Sequence, residues 1–162
     1  MGVKRPRPAA VLIPLLPNGN SYDVLFEVRS AGIAQPGDIC FPGGTMEPGE
    51  TPEVAAVRET TEELLVSREQ IRVLRTMNTR PGPKGRPVTG VLGILENYKG
   101  SFSKAEVDHV FTLPLGKLMA ESPVSRTMPP RTFYYYPTPS EGAIWGITAN
   151  LLHDFLQLLK EE

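Results

Sequence analysis

The sequence holds little that would mark it for the outside of a cell, a membrane or a nucleic acid. It has one cysteine, Cys40, so no intrachain disulfide can form, and a lone small side chain of this kind suits a core. No apolar run approaches the ~20 residues that a membrane span needs. The apolar segment 9–16 is short. The basic stretch 1–8 before it lacks the longer apolar core and small-residue cleavage site of a signal peptide, so a cytoplasmic protein is expected. Charge of one sign is missing too. Seventeen Lys and Arg against 18 Asp and Glu leave a net charge of −1, which provides no broad cationic surface for a nucleic acid backbone. A local basic pocket for a phosphate remains open. There is no internal repeat and no low-complexity linker, and 162 residues suit one domain over 1–162.

What is present is a series of short periodic segments punctuated by proline and glycine. Residues 9–16 read as a buried strand, ended by the turn Pro17-Asn18-Gly19-Asn20. Residues 22–29 read as its hairpin partner. A short strand over 39–41 feeds Pro42-Gly43-Gly44. Thr51 then has the features of a helix N-cap, with Pro52 in the first helical position and Glu53 at the positive end of the dipole. The helix is predicted to run to about Leu65, with Val54, Val57, Thr61, Leu64 and Leu65 as its packing stripe. Strands are expected over 71–77, 88–95, 107–113 and 131–136, a proline-started helix over 114–121, and loops over 80–87 and 122–131. A helix over 143–160 would turn Ile147, Leu151, Leu152, Phe155, Leu158 and Leu159 to one face. The irregular alternation gives an α/β fold with a mixed sheet between helices rather than a regular parallel array.

The chemistry lies between Gly44 and Val66. Spacings of three and four place Glu59, Glu62 and Glu63 on one side of the helix, next to Arg58. Carboxylates so close repel one another unless a cation sits among them, and hard oxygen ligands suit Mg²⁺ or Mn²⁺. Glu50 precedes the helix and can fold back towards the cluster. Gly43-Gly44 permits close backbone approach, which makes a carbonyl there a further candidate ligand. Taken alone, glutamates on a helix face more often describe solvated surface.

Gly44, five residues, Glu50, seven residues, then Arg58-Glu59-Thr60-Thr61-Glu62-Glu63 resembles the Nudix box, Gly-x5-Glu-x7-Arg-Glu-U-x-Glu-Glu-x-Gly-U, with U a bulky apolar residue. All six glycine or charged positions from Gly44 to Glu63 match. Thr60 stands in place of the first U, and Leu65 in place of the second glycine, which suggests a different helix exit. The resemblance implies a Nudix α/β/α sandwich with a loop–helix–loop box and Mg²⁺- or Mn²⁺-dependent hydrolysis of a diphosphate bond. It implies Glu59 and Glu63 as principal metal ligands, Glu62 as an assistant and Gly44 as a backbone ligand. Arg58 would orient a box glutamate, and Glu50 would bind or position a further metal. The base that takes the proton from water would be Glu59 or Glu62, or Glu106 or Asp108 from the downstream loop. Many relatives form dimers, so a homodimer is implied by analogy.

A second resemblance runs from about Ala9 to Leu159. Leu25-Phe26-Glu27-Val28-Arg29-Ser30, followed by Gly37-Asp38-Ile39-Cys40-Phe41-Pro42-Gly43-Gly44, is similar to the motif upstream of the box in coenzyme A diphosphatase-type Nudix proteins. That likeness implies a nucleotide substrate, coenzyme A or its thioesters, cut to 3′,5′-ADP and 4′-phosphopantetheine, with Arg29 on the substrate. The motif's second arginine is missing, since Ile33-Ala34 stands where Leu-Arg is usual. ADP-ribose or a nucleoside triphosphate is therefore the alternative substrate, and a non-catalytic nucleotide-binding module the third reading. Trp145 is expected to pack in the core where the last helix begins. The run Phe133-Tyr134-Tyr135-Tyr136 suits either a half-buried strand or a stack on adenine. Lys84 and Arg86 are placed to reach substrate phosphates or to lie solvated.

Overall fold

The apolar run at the start of the chain forms β1 (Ala9–Asn18), and the tight turn at Gly19 folds it back into β2 (Ser21–Arg29). The hairpin register pairs Leu15 with Val24 and Asn18 with Ser21. Further from the turn the two strands part. Along its other edges β1 keeps a parallel partner, β6 (Pro87–Leu95), and β2 keeps an antiparallel one, β7 (Val107–Pro114). Into the gap fit two short strands, β3 (Ile39–Cys40) on β2 and β4 (Gly43–Thr45) on β1. An outer strand, β5 (Ile71–Pro81), completes a seven-stranded mixed sheet on the far side of β6. A second sheet of three strands, β8 (Val124–Met128), β9 (Arg131–Pro137) and β10 (Ala143–Ile144), lies outside it. The computed structural model describes residues 6–31 and 37–161.

Side chains alternate across the central strands, so each face of the sheet takes its own helix. Ala9, Ile13 and Leu15 face α2 (Leu115–Ala120) and α3 (Gly146–Lys160), in a core completed by Leu118, Leu151, Leu152 and Phe155. Ala10, Leu12 and Val91 face α1 (Pro52–Leu64). The result is a helix–sheet–helix sandwich, as expected.

α1 starts as its sequence dictates: the Thr51 side chain accepts from the Val54 amide, and Pro52 opens the first turn. Its inward face differs from the expected stripe. Ala55, Ala56, Thr60, Glu63 and Leu64 are buried, while Val54 and Leu65 are half or more exposed. Two alanines let the helix lie close to the sheet, and the Thr60 hydroxyl is satisfied by the Ala56 carbonyl at 2.7 Å. The glutamates therefore do not share one side equally.

Other segments also differ. β5 continues to Pro81, followed by a short turn of helix over Pro83–Gly85. The expected loop over 122–131 contains β8, paired with β9. The last helix begins at Gly146 rather than at 143.

The exit of α1 is the clearest correction. Leu65 takes the left-handed conformation, φ 55° and ψ 45°, that glycine would take at that position. The exit is thus the ordinary one, made with an unfavourable residue. Its carbonyls are held by the following loop, through Ser101 Oγ to the Leu64 carbonyl (2.6 Å) and the Ser103 amide to the Glu63 carbonyl (2.7 Å). Because Leu65 is 60% exposed, little packing depends on it. Leu65→Gly should therefore raise stability by about 0.5–1 kcal/mol in denaturant melts, the relief of left-handed strain (~1–2 kcal/mol) less glycine's extra chain entropy. A destabilised variant would show that the side chain contributes packing after all.

Candidate functional site

The parting of β1 and β2 opens the sheet at the end where the carboxylates gather. Glu27 lies on β2 at this opening, three places past Val24, the last residue paired with β1, opposite Cys40 of β3, and is 1% exposed. It shares the α1 face with Leu25 by alternation, which brings it to Glu63. Glu63, 5% exposed, accepts from the Gly43 amide at 3.1 Å through Oε2. Glu59, one turn earlier, lies against Gly44, where a Cβ would sit 2.8 Å from its carboxyl carbon. The absence of side chains at Gly43 and Gly44 thus permits the approach that the sequence suggested.

Arg58 holds the outer side of this arrangement. Its Nε and Nη2 donate to the two oxygens of Glu50 at 2.8 and 2.9 Å, and Nη1 reaches Glu59 at 3.1 Å. Nη2 also donates to the Thr45 carbonyl at 3.2 Å. The fork ties the loop before α1, strand β4 and the helix into one unit. The Arg58 guanidinium and the Glu47 amide hold the Glu50 carboxyl well below the usual range, at about 2. Glu50 is therefore committed to Arg58. Glu62 is 55% exposed in its side chain and 3.7 Å from Arg58.

Burial dominates the electrostatics of the other glutamates. It raises Glu59, and it raises Glu63 and Glu27 further, since these two sit together away from water and repel when both are ionised. Glu27 Oε1 is buried and has no hydrogen-bond partner, while Oε2 is 3.9 Å from Cys40 Sγ. Burial and the charge of Glu27 push the Cys40 thiol up to about 12. Among the downstream candidates, Glu106 is exposed but close enough for its charge to raise Glu27, Glu59 and Glu63. Asp108 instead pairs with His109 Nδ1 at 2.5 Å.

These residues fit a divalent cation. Two buried carboxyl groups in contact, one with an orphaned oxygen, form a site whose unfavourable charge a hard cation would relieve. Among the described residues no three His, Cys, Asp or Glu side chains converge on a point. Mg²⁺ does not require such a cage, since it is commonly held by one or two carboxylates, with substrate and water completing the shell. Glu59 and Glu63, with Gly44 and Gly43 against them, could hold it in that way. Glu27 is the residue that sequence reading missed. Its signal was a charged residue inside the apolar run Val24-Leu25-Phe26-Glu27-Val28.

On the α3 side of β4 opens a cleft of about 900 Å³. Gly43, Gly44 and Thr45 form one wall, and Trp145 and Ile147 at the start of α3 another. Arg7, Arg29, Lys84 and Arg86 bring positive charge to it. Trp145 corrects the core assignment, for it is 56% exposed at the cleft. The aromatic run of β9 lies elsewhere: Tyr136 is buried and Tyr134 stacks on His153 at 3.8 Å. Ile33 and Ala34 lie outside the described residues.

The chain matches the NUDIX domain model over residues 5–130. It is 30% identical to Nudix hydrolase 3 of Caenorhabditis elegans, over 94% of this chain and 73% of that protein. It is 32% identical to the mitochondrial coenzyme A diphosphatase NUDT8 of Homo sapiens, over 96% and 70%. To the peroxisomal coenzyme A diphosphatase NUDT7 of Mus musculus it is 36% identical over 65% of this chain, a match that spans only 46% of that protein. Among solved structures, a mutT/nudix family protein from Listeria innocua superposes with a TM-score of 0.63 at 15% identity, over 98% and 97% of the two chains. The Ap4A hydrolase of C. elegans, as a binary complex, gives 0.58 at 24%, over 68% and 83%. These structural likenesses concern the fold. The family match takes in the opened sheet, the helix carrying Glu59 and Glu63, and the loop of Glu106, and on that ground the chain belongs to the Nudix family and is a pyrophosphohydrolase.

Proposed function

We propose that this protein hydrolyses the diphosphate bond of a nucleotide derivative, coenzyme A or an acyl-coenzyme A, with Mg²⁺ or Mn²⁺ held at Glu59, Glu63 and the Gly44 carbonyl. Divalent metal ions are general to Nudix hydrolases. The observation that carries the reading is the buried Glu27–Glu63 pair beside Gly43-Gly44, glycines that also line a cleft with Arg7, Arg29, Lys84 and Arg86. When bound, the metal would supply neutralisation of the diphosphate charge and a more acidic water. Arg58 keeps Glu59 oriented through its fork. Glu62 and Glu106 are the exposed carboxylates beside the cluster, and either can accept the proton of the attacking water. Arg29 offers its charge to the substrate from the cleft wall. Trp145 offers an aromatic face to a base.

The coenzyme A assignment rests on the likeness to the diphosphatases NUDT7 and NUDT8 and on the upstream motif around Arg29. The alanine at position 34, where that motif carries arginine, favours a second reading, in which ADP-ribose or a nucleoside triphosphate is the substrate. One chain over 1–162 acting as a single domain, in the cytoplasm and as a homodimer, belongs to the same proposal. Among the described residues no helix is long and apolar enough to cross a membrane.

Purified protein with Mg²⁺ should turn over coenzyme A in a panel with ADP-ribose, NADH and nucleoside triphosphates. Turnover of ADP-ribose without coenzyme A would replace the first reading by the second. Glu63→Gln should lower kcat by about 100-fold or more while folding normally. Retention of a tenth of the activity would misplace the site.

Trp145 is the only tryptophan, so ADP should quench the intrinsic fluorescence. Trp145→Ala should raise KM about tenfold with little change in melting temperature, since stacking a base is worth ~1–3 kcal/mol. Unchanged fluorescence at saturating ADP would remove Trp145 from the site.

Burial also sets a pH dependence in the metal-free protein. Folding raises Glu27 above its unfolded value of about 4, so the native state holds a proton that the unfolded chain releases. Stability from this group is greatest in acid and declines as pH rises past that value. In the presence of chelator, Glu27→Gln should therefore gain melting temperature over wild type at pH 8 more than at pH 5. Equal differences at the two pH values would place the proton elsewhere.

A further inference from the structure

Arg86 stands apart from the other charged residues of the cleft. It follows the Pro83–Gly85 turn, whose ends are closed by the Gly82 amide on the Arg86 carbonyl at 2.6 Å. That turn points the side chain across the cleft to β4, where Nη2 donates to the Thr45 hydroxyl. Its Nε is buried and has no hydrogen-bond partner. Among the described residues it makes no ion pair with a carboxylate, although the charge of Glu59 reaches it from one side and that of Arg7 from the other. Burial makes the proton harder to hold, yet a guanidinium stays charged. A partly desolvated cation with a free donor is unfavourable unless an anion completes it. Lys84, within that turn, also lines the cleft.

We infer that Arg86 is an anion clamp for the substrate, binding a phosphate of a nucleoside diphosphate group on the cleft side of β4 and holding it against the carboxylate site beyond. The inference rests on the proposed reaction and adds the residue that fixes where the diphosphate lies. The bond to Thr45 prepares the guanidinium in the position the phosphate requires. It does not neutralise it, since among the described residues no carboxylate forms an ion pair with the guanidinium, which lines the cleft. Planar two-donor geometry suits a phosphate, and a lysine would reproduce the charge but only part of the geometry.

The test measures binding of ADP by calorimetry in the presence of chelator, so that no metal contributes, and compares three variants with wild type. Arg86→Gln should weaken ADP about tenfold or more, the usual consequence of losing a hydrogen bond to a charged group. Arg86→Lys should recover most of that loss. Thr45→Ala should weaken ADP far less than Arg86→Gln does, because it removes only the positioning contact and leaves the guanidinium in place. In Mg²⁺ turnover assays Arg86→Gln should raise KM far more than it lowers kcat. A merely structural role for the Arg86–Thr45 contact predicts instead that Arg86→Gln and Thr45→Ala lose melting temperature together and bind ADP alike. That pattern, or equal affinities for the Gln and Lys variants, would overturn the clamp. Glu63→Gln separates the two proposals. If it abolishes turnover while Arg86→Gln binds ADP as wild type does, the clamp fails and the reaction stands. If it retains turnover while Arg86→Gln loses ADP, the reaction assignment fails and the anion site stands.

Discussion

Two carboxyl groups lie in contact away from water, Glu27 from the sheet and Glu63 from the helix, and the architecture around them is arranged to keep them there. Such a pair is costly in the metal-free state, since burial and mutual repulsion both oppose ionisation. It persists because the surrounding contacts fix both backbones. β2 is held between β7 on one edge and β1 with β3 on the other. α1 is seated on Ala10, Leu12 and Val91 through two alanines, and its last carbonyls are taken by Ser101 and Ser103. In the metal-free protein a bound proton relieves the repulsion, and in the proposed reaction a cation would take that part.

The splitting of β1 from β2 does the positioning. A continuous hairpin would carry its hydrogen bonds through Glu27 and leave no room for a second backbone. The inserted segment with β3 and β4 brings Gly43 and Gly44 to the carboxylates, and it brings Thr45 to Arg58 on one face and Arg86 on the other. β4 is therefore a partition between an acidic face and a basic cleft. A diphosphate lying along it would meet metal ligands on one side and guanidinium groups on the other.

Much of this was legible from the residues. The N-cap Thr51, the proline after it and the glutamate spacing located the helix, and the six matching box positions named the family. Arg58 as an orienting residue followed from the resemblance, and its fork to Glu50 and Glu59 is present. Less was legible where packing overrode periodicity. The stripe of Val54, Val57, Thr61, Leu64 and Leu65 treated size as burial, whereas close packing on the sheet selected Ala55 and Ala56. Trp145, expected in the core where the last helix begins, lies exposed at a cleft whose walls come from β4, the 83–86 segment and the start of α3.

The sequence by itself determined most of the order of elements, the start of α1 and the spacing of its glutamates, because caps, period and motif spacing act within about twenty residues of chain. Only the tertiary structure decided which glutamates are buried together, that Glu50 belongs to Arg58, and that Arg86 reaches Thr45 across the cleft. The partners in those contacts come from separate elements, such as residues 27 and 63 on β2 and α1 or 45 and 86 on β4 and the loop before β6. Burial and the strength of a charge depend on everything packed around a group, and no local spacing records that.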